Sequence, residues 1–167
     1  MADDNNGSAM LTEETLKTID HWAAKFPADK KRSALIQALM AAQEQNGGWI
    51  SRELTEAVAA YLDLPPVWAH EIVSFYSMFF DQPVGRHKVN HCTNISCWLN
   101  GAEDLLAHAE NKLGLKLGET TEDGRISLVR EEECLAGCCG APMMVVDGHY
   151  HENLNIEKMD AILDGLE

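Results

Sequence analysis

Residues 87–100 of the chain read HKVNHCTNISCWLN. The first five of them form a run of strand length, and Cys92 and Cys97 follow with four residues between them. The residues between the two cysteines are mostly polar, which is typical of a loop. Proteins often build their functional sites on loops that a rigid scaffold positions. This stretch therefore predicts a site at the end of a strand.

A second group of cysteines lies further along the chain. Cys134 and Cys138 are separated by three residues, and Cys139 follows directly. Gly137 and Gly140 lie in the same segment, and small residues allow backbone N–H groups to approach sulfur ligands. Four thiolates suit an iron-sulfur cluster, whereas structural zinc usually takes pairs with two residues between the ligands. The spacing favours iron-sulfur chemistry and leaves zinc as an alternative.

Two other roles for the cysteines are weighed against a metal site. A thioredoxin-type redox site needs two cysteines separated by two residues, and this spacing does not occur in the sequence. A thiol-disulfide enzyme of another kind would need an exposed cysteine with a low pKa. Free cysteines can also act as small buried apolar residues. Two close pairs in loops near predicted strands favour a metal site.

The composition limits the class of protein. The 167 residues fit about one domain, or two small ones, and 46% of them are hydrophobic. Lys and Arg number 13 against 27 Asp and Glu, so the net charge is −14, which does not fit nucleic acid or an anionic membrane surface as partner. Apolar runs are shorter than the roughly 20 residues of a membrane span, and the N-terminus has no targeting features. We expect a cytoplasmic chain with free or metal-bound cysteines.

Residues 1–82 are expected to form a small helical bundle, with about the first ten residues disordered. Apolar residues recur there at intervals of three or four, which is the spacing of an amphipathic helix. Thr12 and Ser51 are suited to cap two of the helices, Pro27 to end the first and Pro66 to begin the last. The segments that share this spacing are 11–26, 30–45, 51–64 and 66–79.

Four aromatic residues follow one another closely near the end of this bundle. They cover more of a helix than one face, so we expect some of them in the core and others against the second domain or a partner subunit. They are Phe75, Tyr76, Phe79 and Phe80.

Residues 83–167 are expected to form a second domain with one small sheet. Strand-like runs alternate with helical periodicity, and Asp147-Gly148 is a strong hairpin signal. This order of elements is typical of an α/β layer arrangement, so the whole chain is assigned to the α+β class. The expected strands are 87–91, 126–129, 143–146 and 149–152, and the expected helices are 99–113 and 156–166.

Five segments, in this order, carry a resemblance to a known family: FYSMF at 75–79, PVG at 83–85, CTNISCWL at 92–99, GETTEDG at 118–124 and CLAGCCGAPMM at 134–144. They resemble the thioredoxin-like [2Fe-2S] subunit of respiratory complex I, NADH:quinone oxidoreductase, which is known as the E subunit of the bacterial enzyme. The resemblance extends over nearly the whole chain, from near Arg32 to the final helix.

The resemblance implies an N-terminal helical bundle followed by a thioredoxin-like α/β domain that carries one [2Fe-2S] cluster. The cluster ligands that it implies are Cys92, Cys97, Cys134 and Cys138. Cys139 stands where relatives commonly have another residue. Adjacent side chains tend to diverge, so we take Cys138 as the ligand and Cys139 as a spare thiol.

The function implied by the resemblance is electron transfer inside a larger oxidoreductase, without independent turnover. The cluster would exchange electrons with the flavin of a partner subunit that binds FMN and NADH, beside a large iron-sulfur subunit, on the cytoplasmic side of the inner membrane. The chain itself has no Gly-x-Gly-x-x-Gly run. The alternatives are the equivalent diaphorase subunit of an NAD-linked formate dehydrogenase or hydrogenase, and a zinc-binding interaction module.

Two details near the cysteines stay open at this point. His87 and His91 precede the first pair and could tune the reduction potential of a cluster. The favoured alternative is that they are surface or strand-end residues. Pro142 lies between the second pair and a predicted strand, and either isomer of its peptide bond is compatible with the sequence.

Overall fold

The computed structural model describes residues 10–129 and 134–167. The expected disorder of about the first ten residues falls almost wholly outside these ranges. The chain divides into two compact units, Met1–Pro83 and Val84–Glu167. Helices make up the described part of the first unit, and the second combines helices with a mixed four-stranded sheet. The predicted α+β class is confirmed.

The first unit is built from short helices whose caps follow the sequence. The side chain of Thr12 accepts a hydrogen bond from the Thr15 N–H, and that of Ser51 accepts one from the Leu54 N–H, both at 3.2 Å. Both predicted caps are confirmed. The helices are α1 (Glu13–Ala23), a 3₁₀ helix (Ala28–Ala34), α2 (Leu35–Gln45), α3 (Arg52–Tyr61) and α4 (Pro66–Phe75).

Two of the predicted helices differ from the observed ones. The predicted α-helix over 30–45 begins as the 3₁₀ helix, because Lys30 has non-helical angles (φ −120°, ψ 27°) and no side chain caps its start. The last predicted helix ends at Phe75 instead of near residue 79, because Tyr76 is extended (φ −91°, ψ 123°). Polar residues dominate the 3₁₀ segment, so no apolar face holds a regular helix there.

The aromatic residues after α4 therefore do not share one helix face. Phe79 is buried in the core of the first unit, whereas 77% of the Phe75 side chain is exposed. The core itself is formed mainly by aliphatic residues of α1, α2 and α3. Along residues 10–129 and 134–167, no helix is long and apolar enough to cross a membrane.

The second unit has a sheet of four strands, β1 (His87–His91), β2 (Ile126–Val129), β3 (Met144–Val146) and β4 (His149–His151), in the order β2-β1-β3-β4. The first strand pairs in parallel with β2 and antiparallel with β3, and β3 and β4 form the hairpin predicted at Asp147-Gly148. The helices are α5 (Ile95–Leu99), α6 (Ala102–Leu113), a 3₁₀ turn (Cys138–Gly140) and α7 (Ile156–Asp164).

The segment predicted as one helix over 99–113 is interrupted. Helix α5 ends at Leu99, and α6 begins at Ala102 after Gly101, whose φ of +84° is left-handed. A left-handed residue cannot continue an α-helix, so the chain changes direction there. The break separates the short helix that carries Cys97 from α6.

The two faces of the sheet contact different groups of residues. Met144 shares a core with Leu105 of α6 and Met159 of α7. Its neighbour Val145 belongs instead to a small apolar cluster that includes Cys92. Successive side chains of a strand point to opposite faces. The first pair of cysteines is therefore on the face of the sheet opposite to α6 and α7.

The PVG motif at the start of the second unit is explained by close packing. A Cβ atom at Gly85 would lie 2.9 Å from the backbone C of Ile126 and the backbone N of Ser127. The Gly85 N–H donates to the Ser127 hydroxyl at 2.7 Å. Only glycine allows the entering chain to lie this close to β2.

His87 ties the start of β1 to the hairpin. Its Nδ1 lies 2.7 Å from the Asp147 carboxylate, and its Nε2 donates to the Glu167 carbonyl oxygen at 2.8 Å. The hydrogen bond with Asp147 is the largest cause that raises the pKa of His87 above its ordinary value, and the hydrogen bond with Glu167 adds to it. The charged form of His87 is therefore favoured in the folded state.

Asp147→Asn should destabilise the protein at low pH but not at high pH. A raised folded pKa gives stability that is complete below the unfolded pKa of about 6.5 and is lost as the pH rises through the folded pKa. We expect a loss of about 1 kcal/mol at about pH 6 and almost none at about pH 9. The difference in apparent Tm between variant and wild type measures this, and an equal difference at both pH values would contradict it.

Candidate iron-sulfur site

The first pair of cysteines is buried at the end of β1. Cys92 follows the strand directly and Cys97 lies on α5, and each side chain is 1% exposed. The Asn94 side chain accepts from the Ile95 N–H at 2.8 Å and so caps this short helix. The Cys92 N–H donates to the carbonyl oxygen of Met143 at 3.2 Å, which ties the loop to the residue that precedes β3.

The environment of Cys97 favours its neutral thiol until a cation binds. Burial, followed by the hydrogen bond with Cys92, raises the pKa of the Cys97 thiol to about 11, while the backbone N–H of Met143 acts in the opposite direction. Thiols must lose their protons to bind a metal. The Met143 N–H is therefore a donor in place for the thiolate form of Cys97.

The second pair of cysteines is exposed on the loop before β3. The Sγ atoms of Cys134 and Cys138 are 3.5 Å apart. The backbone N–H of Ala136 donates to the sulfur of Cys134 at 3.3 Å. The hydrogen bond with Cys134 raises the pKa of the Cys138 thiol, and a hydrogen bond from Ser96 acts in the opposite direction. The Ala136 N–H of this loop and the Ser96 hydroxyl of α5 thus both donate to sulfur.

The two pairs face each other. Cys138 interacts electrostatically with both Cys92 and Cys97, and Ser96, which belongs to α5, reaches Cys138. Cys139 is exposed, and its side chain makes no hydrogen bond within residues 10–129 and 134–167. Of the two adjacent cysteines, Cys138 is the one that interacts with the first pair.

The small residues of the second loop have a different role from the expected one. We predict from the sequence that Gly137 and Gly140 let N–H groups approach sulfur, but the amide found on Cys134 belongs to Ala136. A Cβ at Gly140 would lie 2.5 Å from the Glu152 side chain, and one at Gly137 would lie 2.9 Å from Met143 Cε. The glycines therefore leave room for packing under the loop.

The histidines near the first pair have structural partners. His91 is buried, and its Nε2 donates to the carbonyl oxygen of Ala102 at 2.8 Å. His87 is hydrogen-bonded to Asp147. Both lie on β1, so the favoured expectation of strand-end residues agrees with their positions, although His91 is not on the surface. The peptide bond between Ala141 and Pro142 is cis.

Three contributors to the site have no signal in the sequence. Tyr150 donates from its hydroxyl to the Leu135 carbonyl oxygen at 2.8 Å, Ser96 reaches Cys138, and Met143 contacts the first loop through its backbone. Each depends on contacts between distant parts of the chain. Neither hydrophobic periodicity nor a local sequence motif indicates such contacts.

The donor set fits a cluster of two irons. The four thiols form two pairs, with N–H donors directed at Cys97 and Cys134. A binuclear iron-sulfur cluster takes four thiolates and is stabilised by such hydrogen bonds. Fold and site together fit the class of iron-sulfur proteins, with candidate cysteine ligands on two loops beside a mixed sheet.

Comparison with known proteins identifies the family. The family model described as thioredoxin-like [2Fe-2S] ferredoxin matches residues 19–167. The chain belongs to this family, whose cofactor is one [2Fe-2S] cluster. This confirms the resemblance drawn from the motifs and the predicted cofactor, and it favours an iron-sulfur protein over the zinc module.

Curated relatives cover most of the chain. The E subunit of NADH-quinone oxidoreductase from Rickettsia bellii (strain RML369-C) is 43% identical over 142 residues, which are 85% of this chain and 84% of that protein. The mitochondrial NADH dehydrogenase [ubiquinone] flavoprotein 2 of Dictyostelium discoideum is 37% identical over 99% of this chain and 67% of that protein. The chain is thus similar to subunits of oxidoreductase complexes.

Solved structures share the fold. An air-oxidised NAD+-reducing [NiFe]-hydrogenase superposes with a TM-score of 0.63 and 23% identity. The match covers 75% of this chain but only 22% of that one, so the chain spans about a fifth of the hydrogenase chain. At this identity the likeness shows the fold alone.

Ala136→Gly should stabilise the second cysteine loop. Ala136 has a left-handed φ of +62°, which costs an L-residue about 1–2 kcal/mol. Glycine removes this cost, and its greater freedom in the unfolded chain offsets part of the gain. We expect a net gain of up to about 1 kcal/mol, measured as a higher apparent Tm of the cluster-loaded protein.

Ala161→Gly is the matched control for this prediction. Ala161 lies inside α7, where the same substitution should cost about 0.5–1 kcal/mol. Ala136→Val places a branched side chain at the left-handed position and should destabilise the loop. If Ala136→Gly lowers the apparent Tm as much as Ala161→Gly, the left-handed conformation of Ala136 has no energetic cost.

Proposed function

We propose that Cys92, Cys97, Cys134 and Cys138 hold the [2Fe-2S] cluster of this chain. The observation that carries the assignment is that Cys138 interacts with both cysteines of the first pair while lying 3.5 Å from Cys134, sulfur to sulfur. Cys139 is exposed and makes no hydrogen bond within the described residues. The family match supports one cluster of this type.

The protein residues determine how such a cluster behaves. When bound, a [2Fe-2S] cluster accepts and returns one electron. The four thiolates would bind the irons, and the N–H groups of Met143 and Ala136 would stabilise negative charge on the sulfurs. The buried position of Cys92 and Cys97 keeps water from one side of the site.

The proposed setting is the NADH-oxidising module of NADH:quinone oxidoreductase. The names of the curated relatives support it, since these proteins are the E subunit and flavoprotein 2 of such complexes. In this setting the chain exchanges electrons with the flavin of a partner subunit, which also binds NADH, and lies beside a large iron-sulfur subunit. It works on the cytoplasmic side of the inner membrane, attached through its partners.

A related complex is the second candidate. The fold shared with an NAD+-reducing hydrogenase is compatible with the equivalent diaphorase subunit of an NAD-linked hydrogenase or formate dehydrogenase. The relatives at about 40% identity favour the quinone-linked complex. In both settings the chain carries electrons and the partner subunit binds the nucleotide.

The short helix α5 supplies an apolar surface for the partner. It carries Cys97 on its buried side and three large apolar residues that are each more than half exposed. A contiguous exposed apolar surface is typical of an interaction site. We therefore place the contact with the flavin-bearing subunit there. The three residues are Ile95, Trp98 and Leu99.

Replacing one of the two adjacent cysteines tests the ligand assignment. Cys138→Ser should lose most of the cluster, because serine removes a thiolate from the set of four. Cys139→Ser is the matched control and should keep wild-type iron content and visible absorption. Both variants are purified without oxygen and compared by iron, sulfide and absorption spectrum.

The reverse result would contradict the assignment. If Cys139→Ser lost the cluster and Cys138→Ser kept it, the fourth ligand would be Cys139. If each of Cys92→Ser, Cys97→Ser and Cys134→Ser kept the wild-type spectrum, the proposed site itself would be wrong.

A charged residue on α5 tests the partner surface. Trp98→Asp should reduce the affinity for the co-expressed flavin-bearing subunit by at least about tenfold, as for a central aromatic residue of an interface. Ile156→Asp, at a half-exposed apolar residue at the start of α7, is the control and should not change the affinity. Equal binding by both variants, with clusters intact, would refute this contact.

A further inference from the structure

Strand β4 brings a tyrosine to the second cysteine loop. Tyr150 lies directly opposite Val145 in the β3–β4 pair, and Val145 belongs to the apolar cluster around Cys92 and Cys97. Opposite residues of an antiparallel pair project from the same face of a sheet. The ring of Tyr150 is therefore on the face that carries the cysteines, although 56% of the side chain is exposed.

The hydroxyl group of Tyr150 binds the peptide that contacts Cys134. It donates to the Leu135 carbonyl oxygen at 2.8 Å. The N–H of the same peptide group belongs to Ala136 and donates to the sulfur of Cys134 at 3.3 Å. The C=O and N–H of a trans peptide point in opposite directions within one plane. Fixing the carbonyl therefore fixes the direction of the N–H.

The same hydrogen bond also strengthens the N–H as a donor. A carbonyl that accepts a hydrogen bond polarises its peptide group, and consecutive hydrogen bonds reinforce one another. Hydrogen bonds to the sulfurs of an iron-sulfur site help set its reduction potential, because they stabilise the more negative, reduced state. The Tyr150 hydroxyl thus acts on the sulfur through one peptide group.

We propose that Tyr150 is a positioning residue for electron transfer: its hydroxyl directs the Ala136 N–H at the Cys134 sulfur and so raises the reduction potential of the site. This inference rests on the proposed function, because it requires Cys134 to be a cluster ligand. Tyr150 does not itself contact the cluster ligands through its hydroxyl, and no bond of Tyr150 forms or breaks during reduction.

The ring of Tyr150 has a separate role in packing. Its Cδ1 atom would lie 3.4 Å from a Cβ at Gly137, so the ring covers the loop where Gly137 has no side chain. Phenylalanine keeps this packing and removes only the hydroxyl. Tyr150→Phe therefore separates the hydrogen bond from the fold of the loop.

The test compares Tyr150→Phe with the same change elsewhere. Tyr61 also donates from its hydroxyl, to the Asp20 carboxylate at 2.8 Å in the first unit, so Tyr61→Phe is the matched control. The midpoint potential of the full-length, cluster-loaded protein is measured by dithionite titration followed by electron paramagnetic resonance. Tyr150→Phe should lower the equilibrium constant for reduction about threefold to tenfold, tenfold being about 59 mV for one electron. Tyr61→Phe should leave it unchanged.

The outcomes separate this inference from the function on which it rests. If Cys134→Ser loses the cluster and Tyr150→Phe lowers the potential, the positioning role holds. If Cys134→Ser loses the cluster but Tyr150→Phe has the wild-type potential, the role of Tyr150 is refuted while the ligand assignment stands. If Cys134→Ser keeps the wild-type spectrum, both are refuted. If Tyr150→Phe does not retain the cluster, Tyr150→Leu serves as a second variant with no side-chain donor, and a wild-type potential there also refutes the role.

Discussion

The antiparallel pairing of β1 with β3 is the constraint on which the site depends. Its register places His91 opposite Met144, so Cys92 and Met143 are neighbours beyond the ends of these strands. The Cys92 N–H donates to the Met143 carbonyl oxygen, and the Met143 N–H interacts with Cys97. The second cysteine loop leads directly into β3. Two segments about 40 residues apart in the chain therefore meet because these two strands pair.

The two cysteine pairs differ in environment, and this difference suits an electron carrier. Burying a charged thiolate is costly unless hydrogen bonds compensate for the lost water, and the buried pair receives the Met143 N–H. The exposed Cys134 and Cys138 leave the other side of the site open to an approaching partner. The buried pair shields one side of the site from water, and the exposed pair beside an apolar helix leaves the other side accessible for electron exchange.

Strand bounds and helix caps are the features that the sequence predicts well. The bounds of β1 and β2 are those expected, and the caps at Thr12 and Ser51 form as predicted, because each depends on a few adjacent residues. The cysteine spacing favours an iron-sulfur site, and the resemblance adds the ligand set. The left-handed Ala136 and the bond from Tyr150 to Leu135 were not predictable, because packing between distant segments determines them.

The most direct measurement is the iron, acid-labile sulfide and zinc content of protein purified without oxygen, followed by titration with dithionite. A binuclear electron carrier with four thiolate ligands requires about two irons and two sulfides per chain, and about one electron to bleach the visible absorption. Stoichiometric zinc in a colourless protein that takes up no electron would contradict the account.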